Sequence, residues 1–310
     1  MDYRALKPGG TIAVVAPSGL LPAERLLGGV EALRAAGYAV EVMPHVGGAP
    51  CGVFSASDEE RASDLAAALS RPDVDAVWCA RGGYGAMRTL MALDAYGGWR
   101  RVFAETDKMV VGFSDITALH AAAAAVGGRG VLGPMLRHLS AHGLAHPDVG
   151  QTLRLLSGGR AEVRCVPMEG SVGGQARGRL VGGNLSIVYS LLSTPVAPSP
   201  DGCILFIEDL AEYRYHIDRI MQSLRFSGFL SRLSGVIVGQ MLDMKDGATP
   251  FGADAYQVVA RAVAGYGYPI LLGYPSGHDA EVNFPVLVGG DAVLTVAGGE
   301  ASLVMSAAGR

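Results

Sequence analysis

Along the first 126 residues, hydrophobic and polar positions alternate between two periods. Thr11–Ala16, Ala39–Met43, Asp75–Ala80 and Met109–Phe113 are short β-branched or apolar runs and read as buried strands. Pro22–Ala36, Asp58–Ser70, Ala86–Ala95 and Ile116–Val126 are longer and read as helices. In the second of these, Arg61, Leu65, Ala68 and Leu69 recur at helical spacing. Strand–helix repetition at this pitch predicts right-handed βαβ units and a parallel sheet covered on both faces.

The pattern then changes. Gly127–Gly133 and Ser157–Gly183 are rich in glycine, with pairs at Gly158-Gly159, Gly173-Gly174 and Gly182-Gly183. A linker that also borders a cleft is expected over residues 141–178. Beyond it, Gly202–Ile207, Gly235–Gln240 and Pro269–Leu272 read as strands. Ile217, Ile220, Met221 and Leu224 trace the i, i+3, i+4, i+7 stripe of a core-facing helix. Ala292–Ala297 and Ala301–Met305, joined by Gly298-Gly299, read as a hairpin. The expected fold is α/β: an N-terminal parallel-sheet domain over 1–140 and a smaller α+β domain, with its own core, over 179–310. No internal repeat or low-complexity tract interrupts it.

Composition narrows the function. Half of the 310 residues are hydrophobic and only 17% are charged, which excludes a disordered protein. A formal charge of −4 leaves no polybasic footprint for nucleic acid or an anionic membrane. Arg4 and Lys7 ahead of Thr11–Ala16 faintly mimic a signal peptide, but Pro8-Gly9-Gly10 breaks the join and the apolar run is too short. No stretch of about 18 uncharged apolar residues is present. Cys51, Cys79, Cys165 and Cys203 form no C-x-x-C pair and no disulfide or zinc framework. Scattered thiols suit a reducing compartment, so a soluble cytoplasmic protein is expected.

The strongest chemical signal is Val110-Val-Gly-Phe-Ser-Asp-Ile-Thr117, a hydrophobic strand ending at a serine from which a helix starts at once. Such a turn projects Ser114 above the sheet edge as a nucleophile, whereas a plain N-cap is the competing role for the same serine. The motif departs from G-x-S-x-G because Ile116 replaces the last glycine. A nucleophilic serine needs a base, a group to orient it and donors for an oxyanion. His278 lies in the loop Gly273–His278 after an apolar strand, where function concentrates. His216 starts a helix and reads as surface polar; His120 reads as core. Ile204–Ile207 delivers Glu208-Asp209 to a strand's carboxyl end, with Glu212 the weaker substitute. Gly82-Gly83-Tyr84-Gly85 follows another strand exit, where backbone N–H groups can approach an anion, although the lysine-serine ending of a P-loop is missing. His138, His142 and His146 are spaced like metal ligands on a helix. Gly143 weakens that helix, Pro147 closes it and no carboxylate falls among the three, so no metal is expected.

Ser114, Glu208 and His278 occur in the order Ser…Glu…His. Together with Arg81-Gly-Gly-Tyr-Gly, Gly-Phe-Ser-Asp, Ile-Glu-Asp, Ser-Gly-His and Gly178-Arg-Leu-Val-Gly-Gly-Asn-Leu, they give a chain that closely resembles the LD-carboxypeptidase (muramoyltetrapeptide carboxypeptidase) family of serine peptidases, which includes the microcin-C immunity peptidases. The resemblance runs from Gly10-Thr-Ile-Ala-Val-Val-Ala-Pro-Ser-Gly through Tyr215-His-Ile-Asp-Arg to Asn283-Phe-Pro-Val. It implies an N-terminal domain similar to class I glutamine amidotransferases and a catalytic cleft between the domains. Ser114 is then the nucleophile, His278 the base and Glu208 its partner, and the Gly83 and Asp115 N–H groups form the oxyanion hole. Arg81, Gly82 and Tyr84 are the substrate-binding candidates, with Arg81 suited to a terminal carboxylate. The resemblance also implies a homodimer and no cofactor.

The substrate so implied is a cytoplasmic muropeptide that loses its terminal D-alanine at an L,D bond in murein recycling. The alternative within the family is a microcin-C-type peptidyl-adenylate, whose base would stack on aromatic rings. Residues 140–178 contain no Phe, Trp or Tyr, and Trp78 and Trp99 fall in the first domain, which favours the cell-wall substrate. A non-catalytic protein holding a phosphorylated ligand on the glycine loop is the rival from another class. An α/β-hydrolase esterase is weaker still, because the second half lacks a continuing βα repeat.

Overall fold

Strand β1 (Thr11–Val15) is buried over four of its five residues, as a central strand covered on both faces must be. The computed structural model describes residues 3–279 and 281–307, and β1 is an interior strand of its first sheet, next to the edge strand. Parallel to one another run β2 (Ala39–Val42), β1, β3 (Ala76–Cys79), β4 (Val110–Gly112) and β5 (Gly130–Leu132). Helices α1 (Ala23–Ala35), α2 (Asp58–Ser70), α3 (Ala86–Ala92), α4 (Trp99–Glu105) and α5 (Thr117–Ala125) connect and cover them. The start of α2 is set by a capping box, in which the Ser57 hydroxyl accepts from Glu60 N and the Glu60 carboxylate from Ser57 N.

The chain continues through α6 (Leu136–His142), α7 (Pro147–Leu156) and β6 (Arg160–Cys165) to β7 (Gly174–Asn184). Then come α8 (Leu185–Leu191), β8 (Ile204–Leu210), α9 (Arg214–Phe226), β9 (Gly235–Leu242), α10 (Ala255–Val263) and β10 (Ile270–Leu272). The last strands are β11 (Val286–Val288), β12 (Asp291–Ala297) and β13 (Glu300–Ser306). The second sheet has the order β10-β9-β8-β7-β12-β13-β6, parallel from β7 to β10 and antiparallel from β7 to β6. The expected hairpin is β12–β13, and the Ile217, Ile220, Met221, Leu224 stripe is the buried face of α9.

Two expectations need correction. Residues 141–178 are no bare linker: they hold α7, β6 and the first residues of β7, with Pro147 opening α7 at its first turn. The glycines that read as a linker instead let backbones meet. A Cβ on Gly178 would lie 2.3 Å from Gly202 O, so glycine lets β7 lie against the turn before β8. The first sheet is also not wholly parallel, because β11, from the C-terminal part, pairs antiparallel with β5. The loop between β10 and β11, which carries His278, is therefore strung from one sheet to the other.

The cores follow this crossing. Trp78, Val111, Phe206, Leu294 and Met305 belong to one continuous buried cluster shared by both sheets, while Ile220, Leu224, Val236 and Val259 form a cluster of the second half alone. No helix among the described residues is long and apolar enough to cross a membrane.

Candidate active site

The elbow at Ser114 forms because β4 ends against a glycine and the chain turns sharply. Phe113 is still extended (φ −144°, ψ 166°), and Ser114 then adopts φ +61°, a left-handed conformation that a serine rarely takes. Backbone strain of this kind is worth of order 1–3 kcal/mol and persists where the surroundings over-determine it. Ser114 does not serve as a helix cap: Phe113 precedes the short 3-10 turn Ser114–Ile116, and Ile116 precedes α5. The Asp115 carboxylate locks the turn, accepting from Ser18 Oγ at 2.7 Å and Ala86 N at 2.8 Å, with burial holding it above the usual carboxylate range. Gly82 lies against the elbow. A Cβ there would sit 2.6 Å from Phe113 O and 3.1 Å from Ser114 Cβ.

The second half contributes the base. Glu208, fully buried on β8, accepts from His278 Nδ1 at 2.8 Å. That bond assigns the Nδ1–H tautomer and leaves Nε2 with a lone pair. Burial pushes His278 down, but the Glu208 hydrogen bond and charge outweigh it and leave the imidazole above its ordinary value. Burial likewise holds Glu208 above the usual carboxylate value, against the His278 contact. The Phe113 ring packs edge-on against the imidazole, centroids 5.1 Å apart. The loop beneath His278 is pinned to β9, with Gln240 N donating to Ser276 O and Asp279 N to Gln240 Oε1.

Asn184 and Asp209 fall in motifs noted in the sequence, but neither was assigned a role there. Asn184 caps α8, donates through Nδ2 to Glu208 Oε1 (3.3 Å) and Asp209 Oδ1 (2.9 Å), and its backbone N donates to Thr117 Oγ1 (3.0 Å). One side chain thus keeps two buried carboxylates apart, while its backbone ties them to the helix that follows Ser114. A polar residue at the close of a glycine-rich strand was the available signal. Glu212 points elsewhere, toward His216 Nδ1 at 2.6 Å.

Ser114 and His278 line one cavity of about 290 Å³ with Arg81, Gly82 and Gly83. No hydrogen bond joins the serine hydroxyl to the imidazole among the described residues. Asp115 and Glu208 stand behind this wall, and Tyr84 is outside it, 61% exposed with its ring 5.6 Å from Phe54. Arg81 pairs with no acid among the described residues; its Nη1 donates to Leu20 O at 2.6 Å. Arg137 is a second guanidinium on the cavity wall, on the first turn of α6, which the sequence reading missed. Burial and the neighbouring charges of Arg25 and Arg81 lower its proton affinity, as expected for a cation short of an anion. Cavities of about 330 and 660 Å³ elsewhere are not lined by any histidine. His120 is buried near Val110 O, with burial pushing it down to about 4. His138 also reaches the cavity and, against the sequence expectation, meets a carboxylate, Asp148.

The LD-carboxypeptidase N-terminal domain matches residues 12–133, and the C-terminal domain of the same family matches residues 177–294. The chain belongs to the LD-carboxypeptidase family. It is an enzyme, a carboxypeptidase of the serine type. A relative from Streptomyces coelicolor, itself named as a carboxypeptidase, is 37% identical, the match covering 88% of this chain and 86% of that one. The crystal structure of muramoyltetrapeptide carboxypeptidase from Oxalobacter formigenes superposes with a TM-score of 0.83 at 27% identity, covering 96% of this chain and 98% of that one. The microcin C7 self-immunity protein MccF has the same fold, with a TM-score of 0.82 at 21% identity and 98% of each chain covered.

Proposed function

We propose that this LD-carboxypeptidase hydrolyses the L,D-peptide bond to the terminal D-alanine of cytoplasmic muropeptides, with Ser114, His278 and Glu208 as its catalytic residues. The observation that carries the reading is the shared cavity: a strained serine and a carboxylate-bound histidine stand on one wall with two guanidiniums, Arg81 and Arg137. A carboxypeptidase must read a free carboxylate beside the scissile bond, and a guanidinium does so in a bidentate way.

The chemistry follows from the positions. His278 Nε2 takes the Ser114 Oγ proton as the oxygen attacks the scissile carbonyl, while Glu208 holds the tautomer and stabilises the imidazolium. The negative oxygen settles on the N–H groups of Gly83 and Asp115, each such donor being worth about 2.7–4 kcal/mol in comparable sites. The intermediate collapses, the C–N bond breaks, and His278 returns the proton to the departing D-alanine amine. Water then attacks the acyl-Ser114 ester, giving its proton to His278, which passes it back to Ser114. No step calls on a metal or organic cofactor. The family's homodimer belongs to the same reading.

Purified protein offered a defined tetrapeptide ending in an L-diamino acid and D-alanine should release free D-alanine, and the same peptide with a C-terminal amide should resist. Equal cleavage of both would reject the carboxylate-reading site. The peptidyl-adenylate reading has the MccF fold in its favour, but the cavity wall offers Phe113 and no Tyr or Trp on which a base could stack. Faster turnover of a peptidyl-adenylate in the same assay would reverse the preference.

A further inference from the structure

The C-terminal end of α6 and the first turn of α7 bring three imidazoles around one buried carboxylate. His138 and His142 share a face of α6, His146 precedes α7 at its cap, and Asp148 lies in the first turn of α7. The rings stand close, with centroids 4.5 Å apart for His138–His142, 5.3 Å for His138–His146 and 5.1 Å for His142–His146. Asp148, fully buried, divides its oxygens between them: Oδ1 lies 2.6 Å from His146 Nδ1 and Oδ2 lies 2.9 Å from His138 Nε2.

The second of these contacts is unusual. His138 is 9% exposed, and its Nε2 is close to the carboxylate yet lacks the angle of a hydrogen bond, so this buried nitrogen has no bonding partner. Leaving such an atom unsatisfied is unfavourable, and a bound cation would satisfy it. One ligand atom from each of His138, His146 and Asp148 can be chosen so that all lie within 4.8 Å of one another. In a tetrahedral zinc site with bonds of about 2.0–2.1 Å, neighbouring ligand atoms are about 3.3 Å apart, so small side-chain rotations close the set.

We propose that His138, His146 and Asp148 bind a divalent transition-metal ion, zinc in the first instance. Two neutral imidazoles and one carboxylate form a borderline donor set that suits zinc, nickel and copper over magnesium or calcium. The site is built into the fold. Asp148 Oδ2 also accepts from Asn283 N at 2.8 Å, and Asn283 Oδ1 accepts from Ser276 Oγ at 2.9 Å, so the carboxylate that would hold the ion already anchors the loop bearing His278. His138 also lines the cavity that holds Ser114 and His278, and the ion's binding is measured without substrate.

The test is zinc titration of the full-length protein against a chromophoric chelator at pH 7.5. The wild type should bind one equivalent, and His146→Ala should bind it at least tenfold more weakly. His45→Ala is the control, because His45 lies 2.8 Å from Asp64 in a partly buried histidine–carboxylate pair able to attract the ion. Unchanged affinity in His146→Ala, an equal loss in His45→Ala, or no binding by the wild type would each overturn the proposal. A readout free of any variant is the melting temperature. Zinc should raise it at pH 7.5, and an excess of chelator should return it to its starting value. No rise with zinc would contradict the site.

Discussion

His278 Nδ1 and the fully buried Glu208 Oε2 meet at 2.8 Å, a contact that joins a loop strung between two sheets to the C-terminal part of a central strand. Because the net effect of burial and the Glu208 contact is to raise His278, the imidazole must lose a proton before it can act as base. The acid limb of kcat/KM should therefore fall above pH 6.5. In Glu208→Gln that limb should move to lower pH while the maximum rate drops. A limb unmoved by the substitution would mean that another group sets it.

Asn184 gives a second prediction. Asn184→Ala removes the donor shared by Glu208 and Asp209: Glu208 Oε1 loses its partner, while Asp209 keeps Ser186 and Leu210 N. An unsatisfied buried partner costs about 1–3 kcal/mol, so urea denaturation should report a loss of that size with a lower kcat. Asn184→Asp should be worse still, since it adds a third negative charge. Full stability in either variant would show that the three side chains do not act as a unit.

At the cavity wall, Arg137 has no anion to pair with among the described residues. Arg137→Gln should raise KM roughly 10–100-fold for a peptide with a free C-terminal carboxylate and leave kcat within a few-fold. Steady-state kinetics decide it. A fall in kcat with KM unchanged would assign Arg137 to the transition state rather than to substrate capture.

A stability prediction rests on His120. Folded, it is held down to about 4 by burial; unfolded, it titrates near 6.5. Between those values the unfolded chain binds a proton that the folded chain does not, so stability falls as pH drops below 6.5. At pH 5 this amounts to about 2 kcal/mol. Denaturation at pH 7 and pH 5 should show His120→Gln losing correspondingly less than the wild type over that interval.

Much of this was legible in the residues. The alternation from Thr11 to Val126 wrote out the βαβ units because strands buried on both faces carry near-continuous apolar runs. The α9 stripe and the terminal hairpin were equally plain. β7 was missed because its glycines serve close backbone approach, which single-chain patterning cannot tell from a linker. β11 is three residues long and pairs with a strand more than 150 positions earlier, a contact that no local period encodes. The pairing of His278 with Glu208 rather than Glu212 followed from the placement of Glu208 at a strand's end. Asn184, Arg137 and the meeting of His138 with Asp148 needed three dimensions, since each depends on a neighbour distant along the chain or beyond a helix break.

The most direct measurement is release of free D-alanine from a defined muropeptide tetrapeptide by the wild type and by Ser114→Ala at matched, verified folding. The variant should turn over roughly 10⁴–10⁶-fold more slowly, with its melting temperature little changed. Release at near wild-type rate by the folded variant would contradict the assignment of Ser114 as nucleophile.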